Sequence, residues 1–149
     1  MMPVLRKAEE SDAKELRRLE TASFGDPWSE KMIADLFHNE WDHVYVLERE
    51  DHTLSGYINY RFLCGEGELM RIAVDPCDRG RGYSRKLMDQ MEETALKNEI
   101  TAETLEVRSG NVPAIKLYES YGFVKEAVRK DYYEDPVEDA LIMWLRRIS

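Results

Sequence analysis

The chain has 149 residues, 43% hydrophobic and 34% charged, with 30 acidic against 21 basic side chains and a net charge of −9. That length supplies one ordinary domain, able to bury about two-thirds of its unfolded surface, and the composition is that of a globular protein rather than a disordered one. The acidic balance argues against a phosphate backbone as main partner, and the longest apolar run, Ala140 to Leu145, is far short of a membrane span.

Val4 to Lys7 reads as a first strand. Asp12 with Glu15 three residues on is a capping-box-like start for a helix turning Ala13, Leu16 and Leu19 inward. A second helix is expected from Ser29, with Met32, Ile33, Leu36 and Phe37 at helical spacing. Val44 to Glu48 and Gly56 to Leu63 then form a hairpin around Asp51-His52-Thr53, and Glu68 to Val74 is the next strand. An Arg/Gly loop leads into a helix over about Tyr83 to Glu99, with Leu87, Met91 and Ala95 on one face. Thr104 to Arg108 is a strand, Asn111 caps a helix running to Tyr121, and Gly122 ends it. Val124 to Arg129 and Ala140 to Leu145 are the last strands. The order β-α-α-β-β-β-α-β-α-β-β predicts a mixed α/β or α+β sheet with helices on both faces, one domain over residues 1–149.

Cys64 and Cys77 are expected free and reduced in a cytoplasmic protein. His38, His43 and His52 share no metal-ligand spacing, so no metal is expected. The segment Arg79-Gly80-Arg81-Gly82-Tyr83-Ser84-Arg85-Lys86 is different: four of its eight residues are basic and none acidic, in an acidic protein. Set between a strand and a helix, it offers glycines for close approach, helix N-terminal N–H groups and positive charge to a pyrophosphate. It fits neither a Walker A loop nor a dinucleotide-binding glycine fingerprint.

What it resembles, at Arg79, Gly82 and Ser84, is the R-x-x-G-x-[G/A] acetyl-CoA motif of the GNAT superfamily of N-acetyltransferases. Asp26-Pro27-Trp28-Ser29-Glu30, Ile72-Ala73-Val74-Asp75-Pro76, Leu105-Glu106-Val107-Arg108, Ala114 to Glu119 with Gly122-Phe123, and Tyr132-Tyr133 before Glu138-Asp139-Ala140 extend the likeness over nearly the whole chain. These segments are similar to ribosomal-protein-alanine N-acetyltransferases and to archaeal N-terminal acetyltransferase catalytic subunits. Gly110 departs from that pattern, standing where a serine is common.

The resemblance implies a mostly antiparallel sheet of six to seven strands, splayed into a V between the strand ending near Val74 and the one beginning near Thr104. It also implies that Ile72, Ala73 and Val74 hold the pantetheine arm of acetyl-CoA. Gly80, Arg81, Gly82, Tyr83, Ser84 and Arg85, with Arg79, would hold its pyrophosphate, and Asn111 would also touch it. Tyr132 and Tyr133, in a loop between the last strands, would grip the acceptor peptide. Trp28 either lines that mouth or anchors a helix in the core. The implied acceptor is a protein or peptide N-terminus, such as a basic ribosomal-protein tail attracted to Glu134, Asp135, Glu138 and Asp139, with the enzyme a monomer or weak dimer.

Acetyl transfer needs a neutral amine, a stabilised oxyanion and a leaving thiolate. An α-amine, with a pKa near ~8, is already partly neutral at pH 7, so a weak base suffices. Glu106 is the candidate base, Tyr118 the candidate acid for the thiolate, and the Val74 N–H the oxyanion donor. By position alone Glu106 reads first as a surface carboxylate paired with Arg108 or Lys116, and Tyr118 as a core tyrosine; the family match moves both toward catalysis. Acetylation of a lysine or small amine, a non-catalytic CoA-sensing module and RNA binding are the competing readings.

Overall fold

The structure, a computed structural model, describes residues 2–147. Its elements are β1 (Val4–Lys7), α1 (Ala13–Ser23), α2 (Glu30–Asp35), β2 (Asp42–Glu48), β3 (Leu54–Leu63), β4 (Glu66–Val74), α3 (Tyr83–Lys97), β5 (Ala102–Arg108), α4 (Val112–Ser120), β6 (Val124–Tyr133) and β7 (Glu138–Arg146). The predicted order holds. The strands form one sheet, β1-β2-β3-β4-β5-β7-β6, in which β4 and β5 run parallel and the other neighbours antiparallel.

Period-two alternation sends the two halves of each strand to different cores. On one face Leu47, Ile58, Leu69, Leu105 and Met143 meet Leu87, Met88 and Met91 of α3 and Tyr118 of α4. On the other, Val44, Val46, Tyr57 and Ala73 meet Leu16 and Leu19 of α1 and Ile33 of α2. Each fully buried Leu or Met contributes about 1.5–3 kcal/mol. The second helical layer stops at β4: α1 packs on β3 and β4, while β6, at the far edge, is exposed along its length up to Tyr133.

Three local expectations need correction. The capping box lies one turn early, between Glu9 and Asp12 at a 3₁₀ turn (Glu10–Asp12), because the Asp12 carboxylate is also held by Arg6 at 2.8 Å. Glu15 instead pairs with Arg18 and accepts the Leu54 amide at 2.9 Å. Met32 points to solvent, since α2 is short and only Ile33 on it is buried. Tyr132 and Tyr133 end strand β6 rather than lying in a loop. The Ser29 cap, which accepts the Met32 amide at 3.2 Å, and the positive φ of 101° at Gly122 are as expected.

At the end of the sheet away from the V, Glu103 of β5 is fully buried, with Arg147 2.6 Å away and Glu92 of α3 on the same guanidinium. Burial first, then Glu103, pushes Glu92 above the ordinary carboxylate value of 4.5. A proton on Glu92 would supply a donor where its own Oε2 and Glu103 Oε1 have none. Because the folded-state value is raised, the stability this group carries is complete below about pH 4.5 and drains as pH rises through the raised value. Glu92→Gln keeps a donor without a titration, so its stability relative to the parent should improve by about 1–2 kcal/mol from roughly pH 5 to pH 9. Urea denaturation at both ends of that range is the check; a constant difference would contradict the assignment.

Candidate active site

Parallel pairing between β4 and β5 covers Glu66, Gly67 and Glu68 against Ala102, Glu103 and Thr104, and then the strands diverge. The divergence begins where β4 carries a bulge at Met70, opposite the Asn59/Tyr60 step of β3, and a bulge bends its strand. Beyond it the backbone alternation can be followed. The Asp75 amide bonds Ser55 C=O at 2.7 Å, so Ala73, paired with Tyr57, also turns its N–H and C=O to β3. Those of Ile72 and Val74 therefore point the other way, into the V. Of the three residues expected to line it with backbone groups, Ala73 does not.

The Arg/Gly loop begins where β4 ends. Burial would raise the Asp75 carboxyl, but Arg49 and Arg18, each 3.0 Å away, hold it well below the usual range. Arg49 also pairs with Asp78 at 2.6 Å. The acids flanking the loop are thus neutralised from behind, and Arg79 remains exposed. Gly80 and Gly82 have φ of 82° and 80°, with open space where a Cβ would stand. No side chain caps α3, so its first-turn N–H groups face that space. The loop fits a pyrophosphate. Two expected contacts change character: Tyr83 is buried in the core, leaving only its backbone to a ligand, and the Arg85 guanidinium binds Ser120 Oγ at 3.0 Å. Asn111 caps α4 through Ala114 N at 3.3 Å, leaving its amide N–H groups free for a ligand. A cleft of about 300 Å³ beside Arg81 and Tyr83 is less suited to an anion, because Arg49 in its wall is already paired with Asp78.

Glu106 and Tyr118 come from opposite faces of the sheet, and both interact with the Tyr133 phenol at the end of β6. Glu106 pairs with neither Arg108 nor Lys116; Arg129 of β6 reaches it at 3.6 Å, across the small Ala140 of β7. Tyr132 is raised first by its interaction with Glu106, and Tyr133 is pushed up to about 12 by burial and then by Glu106. Burial, then Tyr133, raises Tyr118, so its phenol keeps its proton at neutral pH. Among the described residues the Tyr118 hydroxyl has no hydrogen-bond partner in the protein, unlike an ordinary core tyrosine.

Arg108 stacks on Tyr133 at 4.3 Å and donates to the Glu134 and Pro136 carbonyls, fastening the turn after β6. Half of the acidic cluster is spent internally: Glu138 accepts from Gly110 N at 2.5 Å and pairs with Arg108, and Asp139 accepts from Asp131 N. Glu134 and Asp135 stay exposed. Trp28 packs on the α1–α2 core, the second of its two readings, and its ring lies 4.8 Å from the Arg71 guanidinium. Three residues at the site were missed. Glu68 lies on the Glu106 face and is raised by burial and then by Glu106. Arg71 had a signal, a lone charge inside the apolar run Leu69 to Val74. Arg129 had none, since its meeting with Glu106 depends on strand order.

The acetyltransferase (GNAT) family model matches residues 13–123. The ribosomal protein bS18-alanine N-acetyltransferase of Escherichia coli (strain K12) is 31% identical over 147 residues, covering 97% of each chain. The crystal structure of the ribosomal-protein-S18-alanine N-acetyltransferase from Escherichia coli matches with a TM-score of 0.90 at 31% identity, over 97% of this chain and 94% of that one. Ard1 from Thermoplasma volcanium matches with a TM-score of 0.86 at 26% identity, over 100% of both.

A Cβ on Gly110 would lie 2.6 Å from Glu138 Oε2, the free end of a flexible side chain, so a serine at this exposed position asks only that the Glu138 carboxylate shift. Gly110→Ser should displace the Glu138 carboxylate from the Gly110 amide and from Arg108 and cost no more than about 1 kcal/mol, read as a slightly lower melting temperature that Glu138→Ala in the same chain does not lower further.

Proposed function

The chain belongs to the acetyltransferase (GNAT) family, and from that premise we propose that it transfers the acetyl group of acetyl-CoA to the N-terminal α-amine of a protein. The observation that carries the reading is the V, with Glu106 on one face of the sheet and Tyr118 on the other. Bound acetyl-CoA supplies an acyl carbon activated as a thioester. The loop from Arg79 to Arg85 takes the pyrophosphate through backbone N–H groups and the Arg79 charge. Ile72 and Val74 offer strand-like hydrogen bonds to the pantetheine arm.

Glu106 accepts the proton of the α-ammonium, directly or through a water, which leaves the amine lone pair free to attack. The Val74 N–H, already aimed into the V, donates to the oxygen on which negative charge develops, without reorganising at the moment of reaction. As the new C–N bond forms and the C–S bond breaks, Tyr118 gives its phenolic proton to the departing thiolate, while the new amide nitrogen releases its surplus proton to solvent, from which Tyr118 is reprotonated. Its raised pKa ensures that the proton is there to give. Trp28, Tyr132 and Tyr133 flank the acceptor backbone. A net charge of −9, with Glu134 and Asp135 free on the neighbouring turn, attracts a basic tail such as that of a ribosomal protein in the cytoplasm.

Incubation of the protein with acetyl-CoA and a peptide library, read by mass spectrometry, should place acetyl groups on α-amines; modification confined to lysines or to small amines would refute the acceptor assignment. Glu106→Gln and Tyr118→Phe should each lower kcat by about 10²-fold while KM for acetyl-CoA stays within about twofold. An unchanged kcat in steady-state assays removes that residue from the chemistry.

A further inference from the structure

Arg71 is a cation placed where β4 is otherwise apolar, with 17% of its side chain exposed. Its guanidinium lies 4.1 Å from the Phe24 ring centroid and 4.8 Å from that of Trp28. It donates to Asp26 C=O at 3.0 Å and pairs with Glu20 at 3.3 Å. Glu20 is itself fully buried, accepting from Trp28 N at 2.7 Å and from the Tyr57 hydroxyl, and Arg17 holds the Trp28 carbonyl. The segment between α1 and α2 is therefore tied to β4 through one side chain. That segment reaches the turn after β6, since a Cβ on Gly25 would stand 3.7 Å from Asp135 O. Arg108, stacked on Tyr133, holds the Glu134 and Pro136 carbonyls of that same turn, so the segment that Arg71 anchors abuts the turn that follows Tyr133.

We propose that Arg71 is a specificity-determining residue: braced by Phe24 and Trp28, it fixes the segment between α1 and α2 against the turn after β6 and so sets the width of the acceptor mouth, and with it the size of first side chain that enters. This rests on the α-amine reading above. The brace is stiff because a planar guanidinium packs on aromatic rings while its N–H groups bond the Asp26 carbonyl and the Glu20 carboxylate. A lysine could retain the charge opposite Glu20 but not the planar contact with the two rings, nor the placement of one nitrogen, Nη2, between the Glu20 carboxylate and the Asp26 carbonyl. The segment from Phe24 to Trp28 would then have freedom to move, and the mouth would widen.

The test compares the parent protein with Arg71→Ala and Arg71→Lys on peptides that differ only in the first residue, Gly, Ala or Ser against Leu or Met. The parent should acetylate the small series. In both variants the ratio of kcat/KM for Leu to that for Ala should rise by about tenfold or more, with KM for acetyl-CoA moving less than about threefold. A uniform loss on all acceptors, with the ratio unchanged, would mean that Arg71 only supports the fold, and would overturn the proposal. Should Arg71→Ala fail to fold, Arg71→Lys and Phe24→Ala must show the same change in ratio. A parent protein that acetylates no α-amine defeats the functional reading itself; a parent that does so, with variants of unchanged ratio, defeats only the role of Arg71.

Discussion

Everything at the site depends on the early end of pairing between β4 and β5. Two parallel strands that stayed in register would satisfy each other's backbone groups and close the sheet. Instead pairing stops after Glu68 and Thr104, and the bulge at Met70 turns β4 away. The cost is a set of strand N–H and C=O groups without a partner, and such groups are expensive to leave unsatisfied. The gain is that Ile72 and Val74 present a ready-made strand edge to an extended ligand. In the proposed reaction the same gap is the passage through which Glu106, on the α1 face, and Tyr118, on the α3 and α4 face, would act on one pair of reactants.

Arginines hold the walls of this passage, each anchored by acid or carbonyl partners. Arg18 and Arg49 neutralise Asp75 and Asp78 behind the phosphate loop. Arg71 ties the segment after α1, Arg108 ties the turn after β6, and Arg129 faces Glu106. Each reaches partners distant in sequence, with a geometry a flexible ammonium would not reproduce. The negative charge of the chain is therefore not spread evenly: much of the acid near the site is consumed in these pairs, and the Arg/Gly loop keeps Arg79 and Arg81 exposed.

Much of the fold was legible because it follows from local rules. Alternation in β5, helical spacing of Leu87, Met91 and Ala95, the Ser29 and Asn111 caps and the stop at Gly122 all appear as read. The errors have local causes too. The box sits one turn early because Arg6, six residues before Asp12, competes for that carboxylate, and Met32 is exposed because α2 is too short to bury a wide stripe.

The sequence by itself determined the order of elements and the anion-seeking loop, because periodicity, glycine placement and local charge are written in neighbouring residues; the candidacy of Glu106 and Tyr118 came from the family resemblance, since position alone favours a surface carboxylate and a core tyrosine. Tertiary structure alone decided that Ala73 faces β3 while Ile72 and Val74 face the V, since that depends on the register with β3. It decided that Tyr83 is core and that Arg85 bonds α4. It also brought Arg71, Arg129 and Glu68 to the site. Those contacts join residues tens of positions apart through strand order, a bulge and the packing of α1, and no window along the chain contains both partners.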